Sequence, residues 1–417
     1  MPSMMEFART PAALAVIAVL ASATLTSAQV PPLWADDSVV SQRLGQTRRF
    51  SVSLPTGYED PEAQGNRYPV FIVLNVNPGP LTALLLSAQE QTRLGVWALP
   101  QLITINVRAD NTRDLYPPLT GDAARVRPTA GGADAFGDFL VRELVPLLRT
   151  RYRTLPYVII GGQSAGGQFA IRAFAMYPET FQAAIVPSPA LQWNDDAVID
   201  RYAETIARRQ VAGRLYVAAG GYDPAPLAAA EVRFATRLKA LKPKATTFEF
   251  RRFPDDGHSS LEIPGYVDGL RWMFTPISLA RNPFTSLARD VGDSAGAPRA
   301  YERLKRQYAE GSRIFGMPEG LPGEFLRALS SLQGPFREAN VLERRLCDDD
   351  IAWHPEDAYA YTCLGQLLLR HGDTLGARDA YDKSLAAARK AGWSSTAATI
   401  ERRIRSIDAI WSARRKP

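Results

Sequence analysis

Short apolar segments recur along the first two-thirds of the chain, and most are separated by stretches with helical spacing. Strands are predicted at residues 48–55, 68–74, 102–107, 158–160, 183–186, 215–219 and 246–253. Helices are predicted at 133–152, 169–177, 198–209, 228–241 and 265–274. Segment 48–55 alternates as an exposed edge strand does, whereas 68–74 is apolar throughout, which is typical of a parallel strand covered on both faces. Alternation of strands and helices indicates a mostly parallel sheet flanked by helices.

The strands stop near residue 280, and the remainder of the chain is helical and richly charged. Part of it has the spacing of one tetratricopeptide unit, at Tyr361, Leu364, Gly365, Leu368, Ala377 and Tyr381. Residues 324–355 are interpreted as a degenerate earlier copy, and the alternative is an ordinary helical hairpin. Because a lone unit cannot bury its own face, we expect this region to pack on a neighbour. We therefore predict a sheet domain at 41–279 and a small all-α, tetratricopeptide-like region at 280–417.

The first residues have the pattern of a signal peptide. Arg9 closes a short leading region, residues 12–25 are apolar, and small residues at 26–28 suit a cleavage site before Gln29. The apolar run is too short to span a membrane comfortably, although an uncleaved anchor is the alternative. We predict a signal peptide at 1–28, a lead-in segment at 29–40, and a mature protein that is periplasmic or secreted, without a membrane span.

Composition limits the remaining possibilities. A chain of 417 residues is too long for one ordinary core, which suggests two domains. Its composition, 46% hydrophobic and 22% charged, is typical of a globular protein. The net charge is +6, with basic residues spread along the chain and no basic stripe interleaved with aromatics, so nucleic-acid binding is not expected. Cys347 and Cys363 lie in two adjacent predicted helices, and an exported protein can pair them, but the sequence leaves pairing open. Neither has the spacing of a zinc site.

A candidate nucleophile lies between the predicted strand 158–160 and the helix after it. Ser164 is flanked by Gly162 and Gly166 in a Gly-x-Ser-x-Gly pattern. Strand, tight turn and helix form the elbow that presents a nucleophilic serine, and glycines are expected there because a Cβ would collide with strand or helix. A serine hydroxyl needs a base, and the base needs a partner that fixes its tautomer. In such folds the three follow the order serine, acid, histidine.

His258 is the predicted base. The chain has only three histidines, and His258 directly follows the last predicted strand, whereas His354 and His371 fall in the helical region.

Asp223 is the predicted acid, since it is the first carboxylate after strand 215–219. Glu231, about two helical turns further on, is the alternative. Asp255 and Asp256 rank lower because neighbours in a tight loop seldom point at the histidine ring.

The oxyanion of such a reaction needs two backbone donors. One is expected at Ala165, directly after the nucleophile. The other is expected in the loop that follows strand 68–74, where Pro78 has no N–H. Asn77 is the first choice there and Val76 the second.

Several segments together resemble the putative-esterase family of α/β hydrolases, which includes enterochelin (siderophore) esterases and esterase D-type enzymes. They are Leu44–Arg49, Leu54–Tyr58, Tyr68–Val70, Asn111–Pro117, Gly132–Phe136, the elbow, Ser188–Ala190 and Gly257–Ser260. The resemblance implies an α/β-hydrolase fold, Ser164 as nucleophile and His258 as base, and it places Asp223 at a position often held by glutamate.

The resemblance also implies roles at less certain positions. Arg113 either shapes the substrate pocket or pairs structurally with Asp114. The family usually has histidine before the nucleophile and a larger residue after it, where this chain has Gln163 and Ala165. Gln163 is therefore a candidate pocket residue that affects substrate preference.

We predict an exported serine carboxylic-ester hydrolase that acts on a small-molecule ester through an acyl-enzyme, with no metal or organic cofactor. Siderophore, feruloyl, acetyl and small acyl esters all remain open as substrates. The alternatives are a peptidase or acyltransferase with the same triad, or a non-catalytic scaffold acting through the helical tail. The C-terminal helices are also candidates for binding a protein partner or forming a dimer.

Overall fold

A computed structural model describes residues 33–60, 63–91, 99–193, 197–278, 296–330 and 340–414. The predicted signal peptide, the first residues of the lead-in and the predicted boundary near residue 280 lie outside these ranges. From Trp34 onward the chain forms one compact unit, so the sheet and the C-terminal helices pack together.

An eight-stranded, mostly parallel sheet forms the centre of the molecule, in the order β1-β2-β4-β3-β5-β6-β7-β8. The strands are β1 (Ala35–Ser41), β2 (Gln46–Ser53), β3 (Tyr68–Leu74), β4 (Ile103–Val107), β5 (Thr154–Gly162), β6 (Ala183–Pro187), β7 (Gly213–Tyr222) and β8 (Thr246–Gly257). Among the described strands, the pairs β1–β2 and β2–β4 are antiparallel and the other pairs are parallel. The parallel strands therefore end at one common edge of the sheet, where ligands bind in open α/β folds.

One strand prediction was wrong in its position within the sheet. Residues 48–55 were predicted to form an exposed edge, but β2 pairs with β4 on one side and with β1 on the other. Strand β1 comes from the predicted lead-in segment, and it is mostly exposed. Its weak apolar pattern explains why the sequence did not predict it.

Helices cover both faces of the sheet. The first face carries α3 (Ala133–Phe139), α4 (Val145–Arg151), α5 (Ala165–Met176), α6 (Ala197–Arg208) and α7 (Ala225–Leu241), while a short α2 (Gly121–Val126) precedes α3. The second face carries α1 (Pro78–Gln91) and α8 (Glu262–Met273). Strand β3 illustrates the alternation, because Val70 and Ile72 point into the first core and Phe71 and Val73 into the second.

The C-terminal region is entirely helical in its described parts. It comprises α9 (Gly296–Phe315), α10 (Gly323–Ser330), α11 (Asn340–Trp353), α12 (Ala358–Arg370), α13 (Thr374–Lys390) and α14 (Ser394–Arg414). None of the described helices is both long and apolar enough to cross a membrane.

The beginning of the helical region packs on the second face of the sheet. Phe315, at the end of α9, is fully buried between Tyr157 of β5 and Phe274, with ring centroids 4.9 Å from each. Helices α9 to α11 thus share one apolar core with β5 and α8. This packing does not include the predicted repeat unit around Tyr361–Tyr381, whose apolar residues lie in a separate core with α14.

The remaining helices form a second, smaller core of their own. Helices α12 and α13 make a hairpin in which Gly365 lies against the ring of Tyr381. A disulfide joins Cys347 of α11 to Cys363 of α12, which resolves the pairing that the sequence left open. The tetratricopeptide character of the hairpin stays a prediction.

Candidate active site

Ser164 lies at the turn between β5 and α5, at the edge where the parallel strands end. Its backbone has φ 53° and ψ −119°, a conformation that a non-glycine residue rarely adopts. Such strain is typical of a nucleophile elbow, in which a sharp turn exposes the serine hydroxyl.

The glycines around Ser164 differ in why they are needed. A Cβ at Gly162 would lie 2.3 Å from the backbone of Gly166, and one at Gly167 would lie 2.8 Å from the carbonyl oxygen of Gly162. A Cβ at Gly166 would meet nothing closer than 3.5 Å. The prediction that the second glycine of the pattern is sterically required was therefore wrong, and the tight position is Gly167.

The segment after β6 holds the backbone of Ser164 from both sides. Ser164 N–H donates to the carbonyl of Ser188 at 3.1 Å, and Ala190 N–H donates to the carbonyl of Ser164 at 2.9 Å. These bonds form a short parallel bridge between Ser164 and Pro189. The strained turn is thus stabilised by a segment that sequence reasoning did not assign to the site.

Asp223 and His258 are joined by a hydrogen bond. Asp223 follows β7, and its Oδ1 lies 3.2 Å from Nδ1 of His258. The other carboxylate oxygen, Oδ2, accepts from Gly220 N–H at 2.7 Å and from Ser188 Oγ at 2.8 Å. The Asp223 side chain is fully buried, whereas that of His258 is 32% exposed, so a substrate can reach the imidazole and not the carboxylate.

The histidine loop is also attached to the elbow. The side-chain amide of Gln163 donates a hydrogen bond to the backbone carbonyl of His258. Within the loop, Gly257 N–H donates to Ser260 Oγ at 2.9 Å, and Ser260 Oγ donates to Asp256 at 2.9 Å. Since Gln163 precedes Ser164 directly, this contact brings the His258 loop beside the nucleophile turn. The sequence had assigned Gln163 to the substrate pocket.

Glu231, the alternative acid, is fully buried on α7. Neither of its carboxylate oxygens has a hydrogen-bond partner among the described residues. Burial and, to a smaller extent, the negative charge of Asp223 raise the pKa of Glu231, while Arg252 opposes the shift, and the net result is a pKa of about 9. At neutral pH this carboxyl is protonated, so it does not supply the negative charge that an imidazolium needs.

The loop after β3 lies next to the elbow, because Gly166 faces Leu74 at the end of that strand. Asn75 adopts a positive φ of 57°, and its side chain bonds both the N–H and the carbonyl of Ala109. The side chain of Asn77 accepts from Gly79 N–H at 3.2 Å. These contacts order the loop that contains both candidates for the second oxyanion donor.

Arg113 forms the structural pair that the sequence offered as one of its two roles. Its Nε donates to Oδ1 of Asp114 at 3.0 Å. The other carboxylate oxygen of the buried Asp114, Oδ2, lies 2.7 Å from the guanidinium of Arg48. The hydrogen bond to Asp114 raises the pKa of Arg113 above the ordinary value of an arginine. The side chain of Arg113 remains 47% exposed.

Among the residues that the structure describes, no group of three or more His, Cys, Asp and Glu could hold a metal ion.

The strained turn, its backbone supports and the Asp223–His258 pair point to a hydrolase of the α/β type, and sequence comparison agrees. The model of the putative esterase family matches residues 41–258. The chain belongs to the putative esterase family. The match ends at His258 and includes Ser164, Ser188 and Asp223.

Two individual proteins with similar sequences are siderophore esterases. The chain is 32% identical over 106 residues to the siderophore enterobactin esterase of Emericella nidulans, covering 24% of this chain and 33% of that protein. It is 26% identical over 157 residues to the ferri-bacillibactin esterase BesA of Bacillus subtilis, covering 36% and 54%. The chain therefore spans about a third to a half of the length of these two relatives.

Solved structures extend the likeness of fold beyond the esterase segment. An IroE-like serine hydrolase from Shewanella oneidensis superposes with a TM-score of 0.60 at 22% identity, covering 76% of this chain and 99% of that one. A protein from Capnocytophaga ochracea gives a TM-score of 0.58 at 16% identity, covering 90% and 99%. At these identities the likeness concerns the fold alone.

Proposed function

We propose that this protein is an exported serine hydrolase that cleaves carboxylic esters through an acyl-enzyme. The observation that carries the proposal is the hydrogen bond between Asp223 and Nδ1 of His258, in a loop that Gln163 attaches to the Ser164 turn. Membership of the esterase family supports the same reaction.

In the proposed mechanism, His258 takes the proton of Ser164 as Oγ forms a bond to the ester carbonyl carbon. Asp223 keeps Nδ1 protonated and stabilises the imidazolium. Collapse of the tetrahedral intermediate breaks the ester C–O bond, and His258 gives its proton to the leaving alcohol. Water, activated by His258, then attacks the acyl-enzyme and releases the acid.

The developing oxyanion would be stabilised by backbone donors. Ala165 N–H lies at the first turn of α5, where the helix dipole favours negative charge. The second donor is proposed to be the N–H of Asn77, with Val76 as the alternative. Arg113, half-exposed beside its partner Asp114, is proposed to border the substrate pocket.

The substrate class that we propose is the siderophore ester, because the matched relatives from Emericella nidulans and Bacillus subtilis are siderophore esterases. Export is supported by the signal-like N-terminus and by the disulfide between Cys347 and Cys363, since disulfides persist in oxidising compartments. The helices α12 to α14 are proposed to form a tetratricopeptide-like unit that binds a protein partner or a second copy.

A fluorophosphonate label followed by peptide mapping tests the nucleophile. We expect modification at Ser164 and none in Ser164→Ala. Labelling elsewhere, or no labelling of the wild-type protein, would contradict the proposal. Matched ester and amide substrates, with and without an alcohol acceptor, then separate an esterase from a peptidase or an acyltransferase.

A further inference from the structure

Ser188 connects two parts of the candidate site that come from different elements. Its carbonyl accepts the hydrogen bond of Ser164 N–H at 3.1 Å, and its hydroxyl donates to Oδ2 of Asp223 at 2.8 Å. One residue therefore contacts both the backbone of the nucleophile and the carboxylate that faces the histidine.

The conformation of Ser188 is what makes both contacts possible. Ser188 is fully buried and has φ 43°, in the left-handed region that favours glycine. Its own N–H donates to the carbonyl of Ala218 on β7 at 2.8 Å, which ties the end of β6 to the strand that leads to Asp223. A buried, strained non-glycine residue persists only where its surroundings compensate for the cost.

The hydroxyl of Ser188 is one of two donors to the carboxylate oxygen of Asp223 that does not face His258. Oδ2 of Asp223 accepts two bonds, from Ser188 and from Gly220 N–H, and Oδ1 is left for Nδ1 of the imidazole. A carboxylate with two donors on one oxygen is fixed in rotation, so the direction of the remaining oxygen is defined.

We propose that Ser188 is a positioning residue that couples the Ser164 turn to Asp223 and thereby orients His258. This inference rests on the proposed function. Ser188 does not contact the substrate in this role, so its loss is expected to lower kcat and to leave KM nearly unchanged.

The test compares Ser188→Ala with Ser188→Gly in the full-length protein. Ser188→Ala removes the hydroxyl and keeps the strain, whereas Ser188→Gly removes both. We expect both variants to lose about 10- to 100-fold in kcat on a short-chain aryl ester, because a small displacement of a catalytic group has effects of that size. Ser312→Ala, which removes another fully buried serine hydroxyl in α9, is the matched control and should keep wild-type kcat.

A pH profile separates positioning from simple loss of fold. Loss of the Ser188 hydroxyl changes the contact between Asp223 and the imidazole, so the acidic limb of kcat/KM should move from its wild-type position, which a smaller fraction of folded protein would not cause. Titration of active sites with the fluorophosphonate normalises the rates to folded protein. If Ser188→Ala folds poorly, Ser188→Gly provides the same measurement with the backbone strain relieved.

Each outcome decides a separate question. Wild-type kcat and an unmoved acidic limb in the Ser188 variants, with Ser164 still labelled, would overturn the positioning role and leave the proposed function intact. Recovery of wild-type kcat in Ser188→Gly alone would assign the effect to strain and also overturn it. Absence of the label on wild-type Ser164 would instead remove the basis of the proposed function and of this inference.

Discussion

The side-chain amide of Gln163 donates to the backbone carbonyl of His258, so the residue before Ser164 holds the histidine loop. Gln163→Ala should lower kcat about 10-fold because the loop loses this attachment, while KM changes little. Steady-state kinetics on an aryl ester measures both parameters. Gln46→Ala, at an exposed position on β2, is the control. A raised KM with wild-type kcat would instead support the pocket role that the sequence suggested for Gln163.

Asp223 and Glu231 are expected to differ sharply when each carboxyl group is replaced by the corresponding amide. Asp223→Asn should lower kcat about 10⁴-fold, because the amide favours the wrong imidazole tautomer. Glu231→Gln should stay within about threefold of wild type, since a protonated carboxyl and an amide are both neutral at pH 7. Stopped-flow and steady-state assays at pH 7 make the comparison. Equal losses in the two variants would contradict the assignment of Asp223 as the acid.

The buried carboxyl of Glu231 also predicts how stability depends on pH. Its folded pKa of about 9 exceeds the ordinary 4.5, so the stability it contributes is complete below about pH 4.5 and is lost as pH rises toward 9. The free energy of unfolding of Glu231→Gln should therefore rise relative to that of wild type as pH increases, by at most about 1.4 kcal/mol per pH unit over this range. Urea unfolding at pH 5, 7 and 9 measures the difference.

The exposed Glu59→Gln is the control for this experiment, and its difference from wild type should not grow with pH. A constant difference between Glu231→Gln and wild type across the three pH values would show that Glu231 ionises normally.

The disulfide between Cys347 and Cys363 should stabilise the contact between α11 and α12. It closes a loop with a sequence separation of 16, for which the chain-entropy effect is about 3 kcal/mol. Replacing both cysteines by serine should lower the melting temperature. Dithiothreitol should lower the melting temperature of wild type and leave that of the double variant unchanged. A melting temperature of wild type that does not respond to the reductant would contradict this prediction.

Phe315 is expected to anchor the helical region to the sheet, because its ring lies between Tyr157 and Phe274. Phe315→Ala should reduce the free energy of unfolding by about 3–5 kcal/mol, as for other fully buried aromatics. Its neighbour Ile314 is 48% exposed, so Ile314→Ala should cost less than about 0.5 kcal/mol. Equal effects would indicate that α9 does not contribute to the core of the sheet.

Most of the strand and helix order was predictable because these elements carry their own period, although helix α1 between β3 and β4 was not predicted. The continuous apolar run of β3 and the spacing of α5 and α7 are local properties, and the structure confirms them. Strand β1 was not predicted, because an exposed outer strand has little apolar pattern and is defined mainly by its pairing with β2.

The sequence by itself determined the α/β class and the order of Ser164, Asp223 and His258, because a nucleophile turn and the ends of strands have local signatures. The sequence favoured Asp223 and left Glu231 as the alternative, and only the tertiary structure showed that Asp223 faces His258 while the oxygens of Glu231 have no hydrogen-bond partner among the described residues. It also brought Ser188 to Asp223 across 35 positions. A contact of that kind depends on the pairing of β6 with β7, which no periodicity within either strand encodes.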